Sequence, residues 1–457
     1  MLGVIGILAA IAILIWLSIK GVNVFVVAMI ASVVVIVTNG MDFWPAFTQS
    51  FADGFKNFCG NFFLLFGLAA AYGEFMKVTG SAESVADKLF KMFGAKWAPV
   101  VCLLVTLLMA MGGISAFVIV FAVYPIAAPL FRKANISKTF MPAIFLGASV
   151  SLCLALPGNP TSTNALLTRE EYGLGVDAYS APVMGIIACI VGAVLCSIYL
   201  IMKQRKYARL GIGYATLVAE GSKEDEETEK KLPPFWSSIL PIIVVIVMMF
   251  LLKKTMGTTE CILTSLLVAM GLSVLLNPGT FFGKGNAAEN ADAKDKKNER
   301  QSIIKTFANG FWSSVPAIML TGAVMGFAGV VQAAGGFQVF LDFANGLSNT
   351  FNPYVSGVFA VNIMSGITGT ALGGLQFFAN SMLPNYIGHV DPAAFHRLMT
   401  IACCGLDTLP HCSTFITCCA VCGVTVKTSY KHVFALTIVV PLIMTAVCLL
   451  CISAGII

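Results

Sequence analysis

The feature that most constrains this chain is a succession of apolar stretches, each about as long as a bilayer is thick, parted by short charged gaps. A helix needs about 20 apolar residues to cross the hydrocarbon. Stretches of this kind, some short or broken by Gly and Pro, occupy 2–19, 22–39, 57–77, 97–112, 114–131, 139–165, 182–202, 235–252, 260–277, 312–334, 353–365, 371–387, 398–423 and 432–455. Backbone lying in lipid must satisfy its own hydrogen bonds, so such runs are helices. Charge is correspondingly scarce: 11% of the 457 residues are charged and 58% are hydrophobic, where a soluble domain carries about a quarter charged. The expected fold class is an all-α polytopic membrane protein, with the lipid bilayer as its main surroundings. The amphipathic stretches 42–55, 81–94 and 337–350 read as interfacial helices.

The formal net charge of +6 does not indicate nucleic acid. The basic residues sit in the gaps between spans and form no basic face interleaved with aromatics. They set orientation instead. With the charged loop 203–233 on the cytoplasmic side, the loop 279–305 falls there too, and so do 23 of the 28 Lys and Arg. Lys56, Arg169, Lys253, Lys254 and Arg397 face out. This topology puts both termini outside and requires 97–131 and 353–387 to be re-entrant hairpins. The first run lacks a basic leader and a small-residue cleavage site, so it reads as a span of a bacterial-type cytoplasmic (inner) membrane protein rather than a signal peptide. Most of the 14 Cys lie inside apolar runs and read as small apolar side chains. Cys419 and Cys422 lie near His411, but no second ligand pair has zinc-site spacing, so neither metal nor cofactor is expected.

An internal repeat is visible. Asp53-Gly54-Phe55 corresponds to Asn309-Gly310-Phe311, Gly73 to Gly329 and Gly80 to Gly336, all 256 residues apart. Further on, Gly113-Ile114-Ser115 corresponds to Gly366-Ile367-Thr368 and Leu156-Pro157 to Leu409-Pro410, both 253 apart. The first copy enters from outside and the second from inside, so these are two inverted-topology repeats, an arrangement typical of secondary carriers. The chain then divides into 1–56 (first anchoring helices), 57–165 (half of a transport module), 166–202 (anchoring helix), 203–233 (charged loop), 234–278 (anchoring helices), 279–305 (charged loop), 306–425 (the other half-module) and 426–457 (last anchoring helix).

Candidate chemistry lies where apolar spans are interrupted, because irregular backbone at membrane depth is tolerated only in a protein interior or beside a wet cavity. Two interruptions are hairpin tips: Gly112-Gly113-Ile114-Ser115-Ala116, and Ser365-Gly366-Ile367-Thr368-Gly369-Thr370. Two are broken helices. The first, Leu156 to Asn164, holds Pro157, Asn159, Pro160, Thr161, Ser162, Thr163 and Asn164. The second, Gly405 to Thr414, holds Asp407, Thr408, Pro410, His411, Ser413 and Thr414. Half-helices that start after a break offer free N–H groups and a positive dipole end, which favours an anion. None of the four segments contains Lys or Arg, which suits a single carboxylate. The expected substrate-binding set is Ser115, Asn159, Thr161, Ser162, Thr163, Asn164, Thr368, Thr370, Thr408, Ser413 and Thr414. A carboxylate at bilayer depth is a functional candidate by default; Asp407, with His411 and Glu74, is expected to carry a coupling proton. Sodium coupling is left open, since hydroxyls, amides and carbonyls can equally hold that ion. A membrane-embedded enzyme would need paired carboxylates or H-E-x-x-H near an interface, and the chain has neither. A channel would need a continuous polar pore.

These residues resemble the gluconate permease (GntP) family of carboxylate:proton symporters, within the ion-transporter superfamily. The resemblance runs nearly end to end. It rests on Ala155-Leu156-Pro157-Gly158-Asn159-Pro160, on Gly366 to Leu375 (GITGTALGGL), on Leu406-Asp407-Thr408-Leu409-Pro410-His411, and on Thr428 to Ala435 leading into the final helix. Within the family the nearest likeness is to permeases labelled for β-hydroxybutyrate. The resemblance implies import of a small hydroxylated monocarboxylate driven by protons, a homodimer and an elevator-like motion. After Pro-His the family usually continues Asn-Gly, whereas this chain has Cys412-Ser413, so the substrate the resemblance implies is not fixed. A sodium-coupled carboxylate or dicarboxylate carrier of the same architecture is the alternative.

Overall fold

The computed structural model describes residues 2–113, 115–159, 161–217, 232–252, 255–282, 302–347 and 351–457. Every regular element among them is helical. Nine helical runs among these residues are long and apolar enough to cross a membrane, and Val24–Thr38, Phe235–Met249 and Ser413–Cys422 are shorter apolar helices. The central parts of the two charged loops, 218–231 and 283–301, lie outside the described residues.

The helices depart from the sequence boundaries in instructive ways. The interfacial stretch 42–55 and the following span are one run, Phe43–Val78, of 36 residues. A π-helical segment, Ala46–Phe51, joins its parts, so the polar residues there interrupt the ladder without ending it. Ser81–Met111 is likewise continuous by hydrogen bonding, but Gly94 at φ 70° breaks it into the amphipathic stretch and the span. Only a residue without a β-carbon adopts that conformation without strain. The helix Pro182–Arg209 carries on past the expected end at 202, because the Lys, Gln and Arg that follow are good helix formers and cations suit a helix C-terminus.

Both hairpins are present. Ser81–Met111 returns as Ala116–Lys133 after a turn at Gly112 and Gly113, the latter at φ 90°. Pro353–Thr368 returns as Ala371–Ser381 after Gly369 at φ 65°. The second tip is tighter than the sequence suggests. Ser365 to Thr368 stay helical, and the Thr368 hydroxyl donates back to the Met364 carbonyl at 2.8 Å. Both broken helices are present too. The first runs Met141–Leu146, then a π-helical Gly147–Leu152 and Cys153–Ala155, stops at an extended Leu156 and a left-handed Gly158, and restarts as Ser162–Leu166. The second is Pro392–Ala402, a non-helical stretch, then Ser413–Cys422.

Helix Ala52–Val78 touches both Ile303–Ser313 and Val315–Ala333 through glycines. A β-carbon on Gly54 would stand 3.1 Å from the Cα of Gly326, and one on Gly310 would stand 2.9 Å from the Cβ of Glu74. Phe55 lies against Gly322, and Phe311 lies against Gly67. Small residues let backbones approach in lipid, where van der Waals packing drives association. Gly54→Leu is therefore expected to cut the yield of monodisperse protein severely, since overpacking costs about 1–3 kcal/mol or more where backbone blocks the way. Size-exclusion chromatography of the purified variant checks this; a wild-type profile would show that the crossing can open.

Candidate functional site

The first break is held open by side chains from two directions. Asn159 donates from its amide to the Leu156 carbonyl at 2.7 Å and accepts from the Thr161 hydroxyl at 2.5 Å. Thr161 caps the next half-helix, accepting from the Asn164 N–H at 3.3 Å. Asn164 donates to the Asn159 carbonyl at 2.8 Å. Arg397 enters from Pro392–Ala402 with no exposed surface. Its guanidinium donates to the carbonyls of Leu154 and Leu156 at 3.3 Å, to Asn164 Oδ1 at 3.2 Å, and to the carbonyls of Ala178 and Ser180 at 2.8 and 3.0 Å. His396 Nε2 meets the Asn164 carbonyl at 3.0 Å. The Leu154 and Leu156 carbonyls are among those that the helix end at the break leaves without intrahelical partners, and a cation at that end also opposes the negative dipole. Ala178 and Ser180 lie in the loop before Pro182–Arg209.

The second break buries Asp407, with 3% of its surface exposed. Asp407 Oδ1, both ring nitrogens of His411 and Ser413 Oγ are buried and make no hydrogen bond of good geometry among the described residues. Thr408 shares a 2.5 Å hydroxyl contact with Thr437.

All four interruptions meet at one cavity of about 300 Å³. Hairpin one contributes Gly113, Ser115 and Ala116, break one contributes Thr161, Ser162 and Thr163, and the π-helical turn before that break contributes Ser149. Hairpin two contributes Thr370 and Ala371, and break two contributes Asp407, Thr408, Cys412 and Thr414. Two helix N-termini open onto it without a side-chain cap: Ala116–Lys133, after Ser115, and Ser413–Cys422, after Cys412. Thr370 caps the third, accepting from the Gly373 N–H at 2.9 Å. Uncapped N–H groups with a positive dipole end are suited to an anion.

The candidate residues thus divide. Ser115, Thr161, Ser162, Thr163, Thr370, Thr408, Thr414 and Asp407 line the cavity. Asn159, Asn164 and Thr368 spend their side-chain hydrogen bonds on backbone and neighbouring hydroxyls. His411 and Ser413 are buried in the second break, and Glu74 lines a different cavity. Sequence reasoning missed several contributors. Ser149 comes from the π-helical turn and Thr259 from a helix assigned to the anchor. Arg397, read as facing out, is the fully buried clasp of break one. His396 and His432 are buried too, the latter between the hydroxyls of Tyr199 and Tyr207 at 3.0 and 2.9 Å. The one available signal for Arg397 was a cation following closely on a helix start, Asp391-Pro392.

A multi-pass helical protein whose discontinuous helices converge on a hydroxyl-lined cavity is, by class, a membrane transporter. More particularly, the chain belongs to the GntP permease family: the family described as "GntP family permease" matches residues 2–452. It is also 28% identical, over 473 aligned positions covering 95% of each chain, to "Uncharacterized transporter YxjC" of Bacillus subtilis (strain 168). Its multi-pass architecture is consistent with a bacterial inner membrane.

Proposed function

We propose that this transporter is a secondary carrier that imports a small hydroxylated monocarboxylate, β-hydroxybutyrate- or gluconate-like, together with protons. The observation that carries the reading is the cavity of about 300 Å³, which combines seven hydroxyl-bearing candidates, two uncapped helix N-termini and one carboxylate, Asp407. The N-termini and hydroxyls suit a carboxylate and its neighbouring hydroxyl. Asp407 suits a group that binds and releases a proton at depth. The proposal includes the inverted repeat. Its support is the reciprocal packing of the corresponding residues: Gly54 against Gly326 and Gly310 against Ala70, and, within one residue of the same register, Phe55 against Gly322 and Phe311 against Gly67. Self-complementary contacts of this kind accompany a two-fold relation. It also includes an elevator-like movement of the two hairpins and broken helices.

The test is uptake of radiolabelled β-hydroxybutyrate, gluconate, glycerate and lactate into proteoliposomes under an inward proton or an inward sodium gradient. Accumulation of a monocarboxylate by the proton gradient alone is expected. Accumulation with sodium alone would overturn the coupling and make Asp407 a cation ligand. Accumulation of none would overturn the substrate class.

A further inference from the structure

A second cavity, of about 510 Å³, lies at the opposite ends of two helices that frame the first. Ala116–Lys133 begins at the transport cavity with Ala116 and ends at this one with Arg132. Ser413–Cys422 begins there at Thr414 and ends here at Ala420 and Val421. On Ser413–Cys422 the lining residues Thr414 and Ala420 are six positions apart, about 9 Å of helix. The volume is within the range of small-ligand sites, about 300–1,000 Å³.

Its charged lining is Glu74, Lys77, Glu83, Arg132 and Lys138: three cations to two carboxylates. Lys138 is only 4% exposed; its Nζ lies 3.5 Å from the Tyr124 hydroxyl and 4.7 Å from the centre of the Tyr214 ring. That hydroxyl and aromatic company lets an ammonium group sit so deep. Cations near the C-termini of two helices oppose their dipoles, but that does not call for a cavity of this size. One positive charge in excess among the lining residues, in a half-open space large enough for a small molecule, matches a monoanion.

We infer that this cavity is a second binding site, for a small monocarboxylate, separate from the transport cavity and on the side where the basic residues gather. The choice of carboxylate rests on the function proposed above. The anion's charge is met by Lys77, Arg132 and Lys138, and its hydroxyl has Ser313 and Tyr124 within the lining.

Equilibrium binding of radiolabelled β-hydroxybutyrate to the purified full chain tests it, with inorganic phosphate as competitor. Two sites per chain are expected. Lys77→Gln, at an exposed side chain that folding does not need, and Arg132→Gln should each weaken one of them at least tenfold, while Thr370→Val and Thr414→Val weaken the other. One site, lost in Thr370→Val and intact in Lys77→Gln and Arg132→Gln, would overturn the inference and leave the proposed transport site standing. One site with the reverse pattern would sustain the inference and remove the transport site. Absence of binding, or a basic cavity that takes phosphate and not β-hydroxybutyrate, would overturn the carboxylate assignment.

Discussion

Asp407→Asn is expected to abolish uphill accumulation while leaving exchange of substrate across the membrane largely intact. Asp407 is 3% exposed and lines the cavity of about 300 Å³ beside Thr408 and Thr414. A bare carboxylate at that depth is costly, so the carboxyl is a natural place for a proton to ride with the substrate. Asparagine has nearly the shape of the protonated acid and cannot release the proton. The variant should therefore bind and carry substrate down its gradient but gain nothing from a proton gradient. One pH unit is worth 1.36 kcal/mol, or tenfold. With one proton per substrate and a gradient of about two pH units, the wild type can accumulate about a hundredfold and the variant about onefold. Accumulation in proteoliposomes, set beside counterflow exchange in the same vesicles, reads both halves. Full accumulation by the variant would take the coupling role from Asp407. Loss of both accumulation and exchange would make it a structural or substrate-binding group instead.

Much of this arrangement was legible in the sequence, and the reason is the solvent. In lipid every backbone group must be satisfied within the protein, so polar, Gly- and Pro-rich interruptions such as 156–164 and 405–414 stand out as they would not in a soluble chain. Residues at those interruptions, Thr161 to Thr163, Thr370, Asp407 and Thr414, do meet at one cavity. What sequence left hidden was the direction in which side chains turn. Asn159 and Asn164 have the right chemistry for a ligand but turn onto the carbonyls their own break exposes. Thr368 sits in a helix end rather than a turn because its hydroxyl closes back on Met364. Glu74 shares the depth of a span with Asp407 only in the linear order; helix Ala52–Val78 carries it to the second cavity. Contributions from outside the interruptions had no local signature: Ser149 is polar in a run that still hydrogen-bonds as a helix, and Arg397 lies 233 residues from the Asn164 it binds.

That clasp sets the other large expected effect. Arg397→Gln removes the donors that serve the carbonyls of Leu154, Leu156, Ala178 and Ser180 and the Asn164 amide oxygen. A buried acceptor stripped of its partner costs about 1–3 kcal/mol. The Leu156 carbonyl keeps the Asn159 amide and the Ala178 carbonyl keeps the Gly158 N–H. The acceptors at stake are therefore the Leu154 and Ser180 carbonyls and Asn164 Oδ1. Three at that cost, about 3–9 kcal/mol, take up much of a domain's margin of about 5–15 kcal/mol. The folded yield of Arg397→Gln should collapse, and whatever folds should melt well below the wild type. Arg397→Lys keeps the charge but replaces a planar fork with a point donor, so it should fold with a smaller fall in melting temperature. Because Thr161, Ser162 and Thr163 are positioned by the stretch Arg397 holds, the lysine variant should also show a raised KM for uptake. Its maximal rate should change less. Size-exclusion yield, thermal unfolding in detergent and uptake kinetics give the three readings. A glutamine variant with wild-type yield and melting would mean that water or neighbouring amides serve these carbonyls, and the first break would then hold its shape through Asn159, Thr161 and Asn164 alone.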